Sequence, residues 1–325
     1  GVRVRVVVDD ALFLDGKQDL ANLDAHPNIE IRVFNPWASK GAGRVLETVG
    51  RMKKLNHRMH NKPLIADSQM AILGGRNVGD HYFGLHHKYH FHDLDVVVLG
   101  DEATESSEIF DHFWNSEQVM PVSAFVEDAS WEAIESVRSQ KLDELRQSGV
   151  LEDFPFESRN WTRELATLVE RMSPGTSTVE YDRVLPDTPA PTQHGAARLT
   201  EIVEQAQHEV LILNAYIIPG ERAMEILREA TGRGVTVRML TNSLASNDVP
   251  AVTAKYKKYR KALLEAGVEL YEFRAHPEIQ GGVVDTEPVE AHFAGFHTKA
   301  AVIDRELVYI GSLNLLSLIH ISEPT

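Results

Sequence analysis

Near each end of the chain the same polar pattern occurs, with identical internal spacing: His-x-Lys, an Asp five residues later, and then a Gly-Gly or Gly-Ser pair, any residue and Asn. The residues of the two copies are His60, Lys62, Asp67, Gly75 and Asn77, and His297, Lys299, Asp304, Ser312 and Asn314. An imidazole beside an ammonium suits an anionic ligand, because lysine neutralises phosphate oxygens while histidine attacks or protonates the substrate. The asparagine can donate an amide hydrogen bond where small residues let the backbone approach closely. The repeat therefore predicts two half-domains that share one phosphate site.

Short apolar runs must position these side chains. In the first copy, residues 64–66 and 71–73 are apolar and flank a polar turn at 67–69, which predicts two adjacent strands. Alternation along a strand places His60 and Lys62 on the same face. Residues 301–303 and 307–310 repeat this arrangement in the second copy.

The paired pattern resembles the HKD signature of the phospholipase D superfamily. The flanking segments 110–116 and 248–273 are similar to bacterial cardiolipin synthases of the C type, and the resemblance extends from residue 1 to about residue 316. Repeated strand, helix, strand units with β-branched strands predict an α/β fold, with two sandwich-like halves related by a pseudo-twofold axis.

We expect four parts in the chain. Residues 1–172 form the first half with a helical insertion, 173–195 a connector, and 196–316 the second half. In the insertion, apolar residues at intervals of three and four predict helices at 106–116, 130–146 and 158–172. The strand and helix that precede residue 234 in the second half have no counterpart before residue 1, so we expect the first half to lack its N-terminal part. Residues 317–325 resemble translated adapter sequence, and we expect them to be non-native.

The resemblance implies a mechanism with a phosphohistidine intermediate and without a metal or other cofactor. It assigns His60 as the nucleophile and His297 as the acid, although the symmetry of the motifs leaves the reverse assignment open. The phosphate oxygens would be held by Lys62, Lys299, Asn77 and Asn314, next to Gly75 and Ser312. Asp67 and Asp304 belong to the catalytic motifs, but their position after the strand favours a bracing role over a reacting one.

Asp93 is predicted to open a strand and to orient the histidine of the other half. In the bacterial phospholipases D that this chain resembles, an acidic residue at about this distance after one motif serves that purpose, so we pair Asp93 with His297. The alternative is an acid at a strand edge with no catalytic role. The matching acid for His60 is expected after Asn314.

Three functions remain open. The first is phosphatidyl transfer that makes cardiolipin from phosphatidylglycerol and a second phospholipid. The second is hydrolysis of a phospholipid or a nucleic acid by a phospholipase D-type phosphodiesterase. The third is an inactive fragment or a membrane-binding pseudoenzyme.

Composition bears on partners and location. The formal net charge of -15 disfavours a general nucleic-acid binder, and the absence of cysteine excludes disulfides and thiolate metal sites. No apolar stretch reaches the roughly 18 residues of a membrane span. Membrane contact would then be peripheral or made by residues outside the given sequence. The resemblance implies a peripheral protein of the bacterial cytoplasmic membrane, with anionic phospholipid as its partner and any partner subunit unknown.

Two basic stretches and one histidine-rich segment complete the candidate sites. The first basic stretch, residues 44–58, contacts anionic head groups or is a solvated helix face, and both interpretations stay open. The second, residues 255–261, favours a solvated helix. A metal site is disfavoured at the clustered histidines, because they lack a known ligand spacing: His81, His86, His87, His90 and His92.

Overall fold

The protein has a mixed α/β fold. The computed structural model describes residues 1–10, 16–36, 59–83, 85–86, 89–147, 160–181, 194–274 and 293–316. Within these ranges, no helix is both long enough and apolar enough to span a bilayer. The predicted α/β fold class is confirmed, whereas the predicted domain boundaries remain predictions.

The first part of the chain contains seven strands and four helices within the described ranges. In chain order they are β1 (Val4–Asp9), α1 (Lys17–Asp24), β2 (Ile29–Phe34), β3 (Leu64–Ala66), β4 (Met70–Gly74), β5 (Tyr89–His92), β6 (Asp95–Leu99), α2 (Asp101–Trp114), β7 (Val119–Pro121), α3 (Trp131–Gln147) and α4 (Trp161–Glu170). One turn of 3-10 helix, Asp80–Tyr82, lies between β4 and β5.

The second part alternates strands and helices. Its elements are α5 (His194–Gln205), β8 (Glu209–Asn214), β9 (Ile217–Ile218), α6 (Glu221–Gly232), β10 (Thr236–Asn242), α7 (Pro250–Glu265), β11 (Glu269–Phe273), β12 (Phe293–Phe296), β13 (Lys299–Ile303), β14 (Leu307–Ile310) and β15 (Leu315–Leu316). Helix α5 begins two positions before the predicted start of the second half at residue 196.

A five-stranded sheet in the order β11-β10-β8-β13-β14 organises the second part. Strand β10 runs parallel to β8 and β11, while β13 runs antiparallel to β8 and β14. Strand β8 shows the alternation expected of a half-buried strand, with Val210 and Ile212 buried in the main hydrophobic cluster. Helix α6 packs Met224, Leu227 and Ala230 into the same cluster. The sheet thereby fixes the strand that carries Lys299.

The first part contains equivalent strands in two separate sheets, β1-β2-β7 and β3-β4-β6. The parallel pair β1-β2 corresponds to β10-β11, and the hairpin β3-β4 corresponds to β13-β14. In the second part, β8 lies between β10 and β13. Within the described ranges no strand connects β1 to β3, so each of these two strands ends its own sheet.

The two parts of the chain meet in a short parallel pair. Strand β5 of the first part pairs with β12 of the second, and Phe296 lies opposite His92. The backbone N–H of His297 continues the ladder by donating to the carbonyl of His92 at 2.8 Å. The polypeptide therefore enters the second motif directly from the contact between the parts.

Most predicted elements are present at slightly different bounds. The helices predicted at 106–116, 130–146 and 158–172 are α2, α3 and α4. One local prediction was wrong. Asp93 does not open a strand but lies in the link between β5 and β6, because the backbone pairing of β6 with β4 begins only at Asp95.

Candidate active site

The second motif is buried. His297 follows β12, and Lys299 begins β13; both residues are only 2% exposed. A buried lysine and a buried histidine require polar partners, because an uncompensated charge in the protein interior is costly. Both parts of the chain provide such partners.

Asp93 lies against the imidazole of His297. Its Oδ2 is 2.7 Å from His297 Nδ1, its Oδ1 accepts from the backbone N–H of Leu94 at 2.8 Å, and the residue is 5% exposed. A carboxylate that accepts from Nδ1–H fixes the ring orientation and leaves Nε2 for the substrate. The structure therefore contains the pairing of Asp93 with His297 that we predicted, while its catalytic role stays a prediction.

Gly75 makes room for this carboxylate. A Cβ at this position would lie 2.8 and 2.9 Å from the two carboxylate oxygens of Asp93 and 3.2 Å from its Cγ. Such distances are shorter than ordinary van der Waals contact, so a side chain at residue 75 would displace Asp93. The sequence suggested Gly75 only as part of the phosphate site, and the structure gives it a further role in admitting the acid.

The ammonium of Lys299 lies beside the same ring. Its Nζ is 2.6 Å from Nε2 and 2.9 Å from Nδ1 of His297, and 5.7 Å from the centre of the Tyr216 ring. A phosphate oxygen bound to this ammonium would lie next to the imidazole nitrogen that is not paired with Asp93. The arrangement suits attack on, or protonation at, a phosphate ester.

Three aromatic rings surround His297, and sequence reasoning did not anticipate them. The ring centroids of Tyr82, Phe91 and Tyr216 lie 5.2, 5.3 and 6.1 Å from that of the imidazole. Tyr82 and Tyr216 meet the imidazole edge-on, a favoured geometry for aromatic pairs. These rings limit the access of water to His297.

Tyr82 also connects the two motifs. Asn77 of the first motif donates from Nδ2 to the Tyr82 hydroxyl at 2.8 Å, and the Tyr82 ring contacts His297 of the second motif. The Gly-Gly-x-Asn part of one motif and the His-x-Lys part of the other therefore line one site. Whether Asn77 binds phosphate stays a prediction.

The His-x-Lys pair of the first motif lies just before β3. His60 and Lys62 are half-buried, and Lys62 Nζ donates to the His60 carbonyl at 2.9 Å. The backbone N–H of Met59, the residue before His60, donates to Asp9 Oδ2 at 2.9 Å. That the His60 ring reaches the same phosphorus as His297 stays a prediction.

The aspartates of both motifs occupy left-handed turns. Asp67 and Asp304 both have φ of 52°, and the residue after each also has positive φ. Asp304 accepts backbone hydrogen bonds at 2.8 Å from residues 207, 208 and 209, where β8 begins. The backbone N–H groups, that of Gln207 foremost, lower the pKa of the Asp304 carboxyl.

Asp304 therefore stands at the opposite end of β13 from His297. Seven residues of extended chain span about 20 Å, which separates the carboxylate from the imidazole. Of the two roles that the sequence left open, these contacts support bracing rather than reaction. Asp67 has the same backbone conformation but is exposed.

The small-residue and asparagine positions of the second motif follow β14. Gly311 N–H donates to the Lys299 carbonyl at 3.0 Å, which holds this segment beside β13. Asn214, a buried residue at the end of β8, donates to the Leu313 carbonyl at 3.2 Å and pairs with Lys299 across the sheet. Ser312 and Asn314 are half-buried, and their contact with phosphate stays a prediction. The acid expected after Asn314 falls outside the described residues beyond 316.

The first basic stretch lies outside the described ranges and the second lies on helix α7, whereas the histidine-rich segment borders the site, because the His92 carbonyl accepts from the His297 N–H. Residues 44–58 are not described. Helix α7 carries the second basic stretch, where Arg260 pairs with Glu272 at 3.1 Å and Lys261 with Glu265 at 3.5 Å. His81 and His86 stack at 4.0 Å, and the described residues contain no group of three or more potential ligands placed to hold a metal.

Comparisons with known proteins agree with this architecture. Residues 199–317 match the family model described as cardiolipin synthase, PLD-like domain. The chain is 33% identical to cardiolipin synthase C of Escherichia coli (strain K12), over 97% of this chain and 67% of that protein. It is 28% identical to an uncharacterized protein of Helicobacter pylori (strain J99), over 97% of this chain and 62% of that protein. The chain thus spans about two thirds of the length of these relatives.

A solved structure shares the fold. The phosphatidylserine synthase of Haemophilus influenzae Rd KW20 superimposes with a TM-score of 0.51 at 12% identity, covering 97% of this chain and 74% of that one. At this identity the likeness concerns the fold alone.

Proposed function

Because the chain belongs to the cardiolipin synthase family of phospholipase D-like proteins, we propose that it transfers a phosphatidyl group between phospholipids through a phosphohistidine. The donor is phosphatidylglycerol, and the acceptor is a hydroxyl of a second phospholipid, so that the product is cardiolipin. The observation that carries the proposal is the buried arrangement of Asp93, His297 and Lys299, which is assembled from both parts of the chain.

The first step breaks the bond between phosphorus and the head-group oxygen. A neutral imidazole attacks phosphorus with its lone pair while the other, protonated imidazole gives its proton to the departing glycerol alkoxide. The products are a phosphatidyl-histidine and free glycerol. Lys62 and Lys299, with Asn77 and Asn314, stabilise the charge on the non-bridging oxygens.

The second step reverses these roles. The imidazole that gave up its proton now removes one from the acceptor hydroxyl, whose oxygen attacks phosphorus and releases the first imidazole. The resemblance favours His60 as nucleophile, and the pairing of Asp93 with His297 Nδ1 is compatible with either role for Nε2.

The surroundings of His297 support transfer over hydrolysis. The ring is 2% exposed and is bordered by Tyr82, Phe91 and Tyr216. In the favoured assignment His297 removes the proton from the acceptor in the second step, and water that is kept from this ring cannot compete well with a lipid hydroxyl. We also propose that the protein acts peripherally at the bacterial cytoplasmic membrane, with anionic phospholipid as its partner.

Product analysis tests the proposal. The protein is incubated with phosphatidylglycerol vesicles, with and without phosphatidylethanolamine, and the lipids are separated by thin-layer chromatography with His297→Ala as the control. Cardiolipin supports transfer, and phosphatidic acid as the sole product supports hydrolysis instead. If wild-type protein and the control give the same blank chromatogram, the enzymatic proposal fails. Digestion of DNA without added metal would point to a nuclease.

A further inference from the structure

The last residue of β10 holds the main chain just before His297. Asn242 is 2% exposed, and its Oδ1 accepts from the backbone N–H of Phe296 at 3.0 Å. Its Nδ2 donates to the Phe296 carbonyl at 2.6 Å. One side chain thereby fixes both backbone polar groups of the residue that precedes the histidine.

The last residue of β1 makes the related contact before His60. Asp9 is 6% exposed, and its Oδ2 accepts from the backbone N–H of Met59 at 2.9 Å. A carboxylate can only accept hydrogen bonds, so it cannot also hold the Met59 carbonyl as an amide would.

Sheet register shows that the two positions are equivalent. In the parallel pair β1-β2, Asp9 lies opposite Phe34, and in the parallel pair β10-β11, Asn242 lies opposite Phe273. The residues that they hold are also equivalent, since each precedes the histidine of its motif. The same contact has therefore formed in both copies, although the residue type differs.

We infer that Asp9 and Asn242 are paired positioning residues, each of which sets the backbone of one catalytic histidine. Neither side chain needs to touch the substrate. A histidine ring can flank a phosphorus atom productively only if its Cα is fixed, because a displacement of about 1 Å can lower the rate about 100-fold. The inference rests on the proposed function, in which both histidines act on one phosphate.

The residue types predict an asymmetric response to substitution. Asp9→Asn keeps an acceptor for Met59, so its kcat should stay within about threefold of wild type. Asn242→Asp places a carboxylate, which has no proton to donate, against the Phe296 carbonyl. This variant should therefore lose its activity. Alanine at either position should lower kcat about 10- to 100-fold with KM within about twofold, because orientation rather than binding is lost.

Matched controls separate positioning from general destabilisation. Thr241 precedes Asn242 on the same strand and is 2% exposed. Its hydroxyl donates to the Ala215 carbonyl, to which Asn242 Nδ2 also donates at 3.3 Å, so Thr241→Val tests this shared contact while the bonds of Asn242 to Phe296 remain. Asp10 follows Asp9, is fully buried and contacts Lys17 at 2.9 Å. Thr241→Val and Asp10→Asn should lower the melting temperature while kcat of the folded protein stays within about threefold. If these controls lose kcat as much as the alanine variants, or if Asp9→Asn is as inactive as Asp9→Ala, the inference is wrong.

A readout without turnover separates the two proposals. The chain contains seven methionines, so labelling with ¹⁵N-methionine gives few amide signals. The Met59 signal can be assigned by its loss in Met59→Leu. This signal should shift in Asp9→Ala and return towards its wild-type position in Asp9→Asn. A shift of this kind in a protein that makes no lipid product would leave the positioning intact and refute the proposed function. If the Met59 signal does not move in Asp9→Ala and the wild-type protein makes cardiolipin, the positioning inference is refuted and the proposed function stands.

Discussion

Gly75→Ala should uncouple the orienting acid from its histidine. The added methyl group would lie 2.8 and 2.9 Å from the two oxygens of the Asp93 carboxylate, whereas ordinary contact begins at 3.4 Å. Because both oxygens are too close, rotation of the carboxylate does not relieve the overlap. Asp93 must move by about 0.6 Å, which lengthens its 2.7 Å contact with His297 beyond the range of a strong charge-assisted hydrogen bond.

The expected loss follows from the strength of that contact. A hydrogen bond to a charged group contributes about 1.5–3 kcal/mol, and 1.4 kcal/mol corresponds to a tenfold change in rate. We therefore expect kcat for cardiolipin formation to fall about 10- to 100-fold. KM should change little, because Asp93 orients the imidazole rather than binding lipid.

Steady-state assays on mixed vesicles measure this effect, and Gly79→Ala is the matched control. A Cβ at Gly79 would meet only a Tyr82 ring carbon at an ordinary 3.8 Å, so this variant should keep its rate. In an Asp93→Ala background the methyl group meets no carboxylate, and Gly75→Ala should then have little further effect. If Gly75→Ala lowers kcat equally in the wild-type and the Asp93→Ala backgrounds, Gly75 acts on something other than Asp93, for example on the phosphate directly.

Three further predictions concern other parts of the site. His60→Ala and His297→Ala should each abolish turnover, and product analysis that detects more than a few per cent of wild-type activity would contradict the two-histidine mechanism. Tyr82→Phe removes the hydroxyl that accepts from Asn77 and should lower kcat/KM about threefold to tenfold, as measured in the vesicle assay. For Asp304 the folded-state pKa is lowered, so its carboxylate stabilises the protein above pH of about 4 and this stabilisation is lost as pH falls through the lowered value. Urea midpoints of wild type and Asp304→Asn should therefore differ most near neutral pH and converge in acid.

Controls for these predictions are available in the chain. The Tyr271 hydroxyl makes a surface contact to Glu269 at 3.2 Å, so Tyr271→Phe should leave kcat/KM unchanged. A Tyr82→Phe variant that behaves like Tyr271→Phe would argue against a functional link between the motifs. For Asp304, a gap in urea midpoint that stays constant down to acidic pH would exclude a contribution from the ionised carboxyl.

The catalytic motifs and their hairpins could be predicted from the sequence because their signals are local. Apolar runs on either side of a polar turn led to β3-β4 and β13-β14, and the repeat connected them. The pairing of Asp93 with His297 came from resemblance, since no local pattern joins two residues so distant along the chain. The assignment of Asp93 to a strand was wrong because the polar and apolar residues alternate from Asp93 through Leu94 and Asp95 into β6. The sequence pattern therefore does not show where the strand begins.

Other features depend on tertiary contacts and leave little trace in the sequence. Strands β5 and β12 are four residues long, and only their mutual pairing distinguishes them from loops. Asn242 at the end of a strand is indistinguishable from a turn residue until the position of Phe296 is known. The role of Gly75 likewise becomes visible only when Asp93 is placed against it.

The separate sheets of the first part have a consequence for handling the protein. Within the described residues β1 is an outer strand of its sheet, and it contains the β-branched run Val6 to Val8. The free edge of an outer strand is a template for cross-chain β pairing. Arg5 precedes this run, and such a flanking charge acts as a gatekeeper against aggregation. Pro63 stands just before the exposed Leu64 of β3, where the missing amide proton discourages docking of another chain. Replacing Arg5 and Pro63 with apolar residues should turn a monodisperse preparation into one that forms fibrils or precipitates.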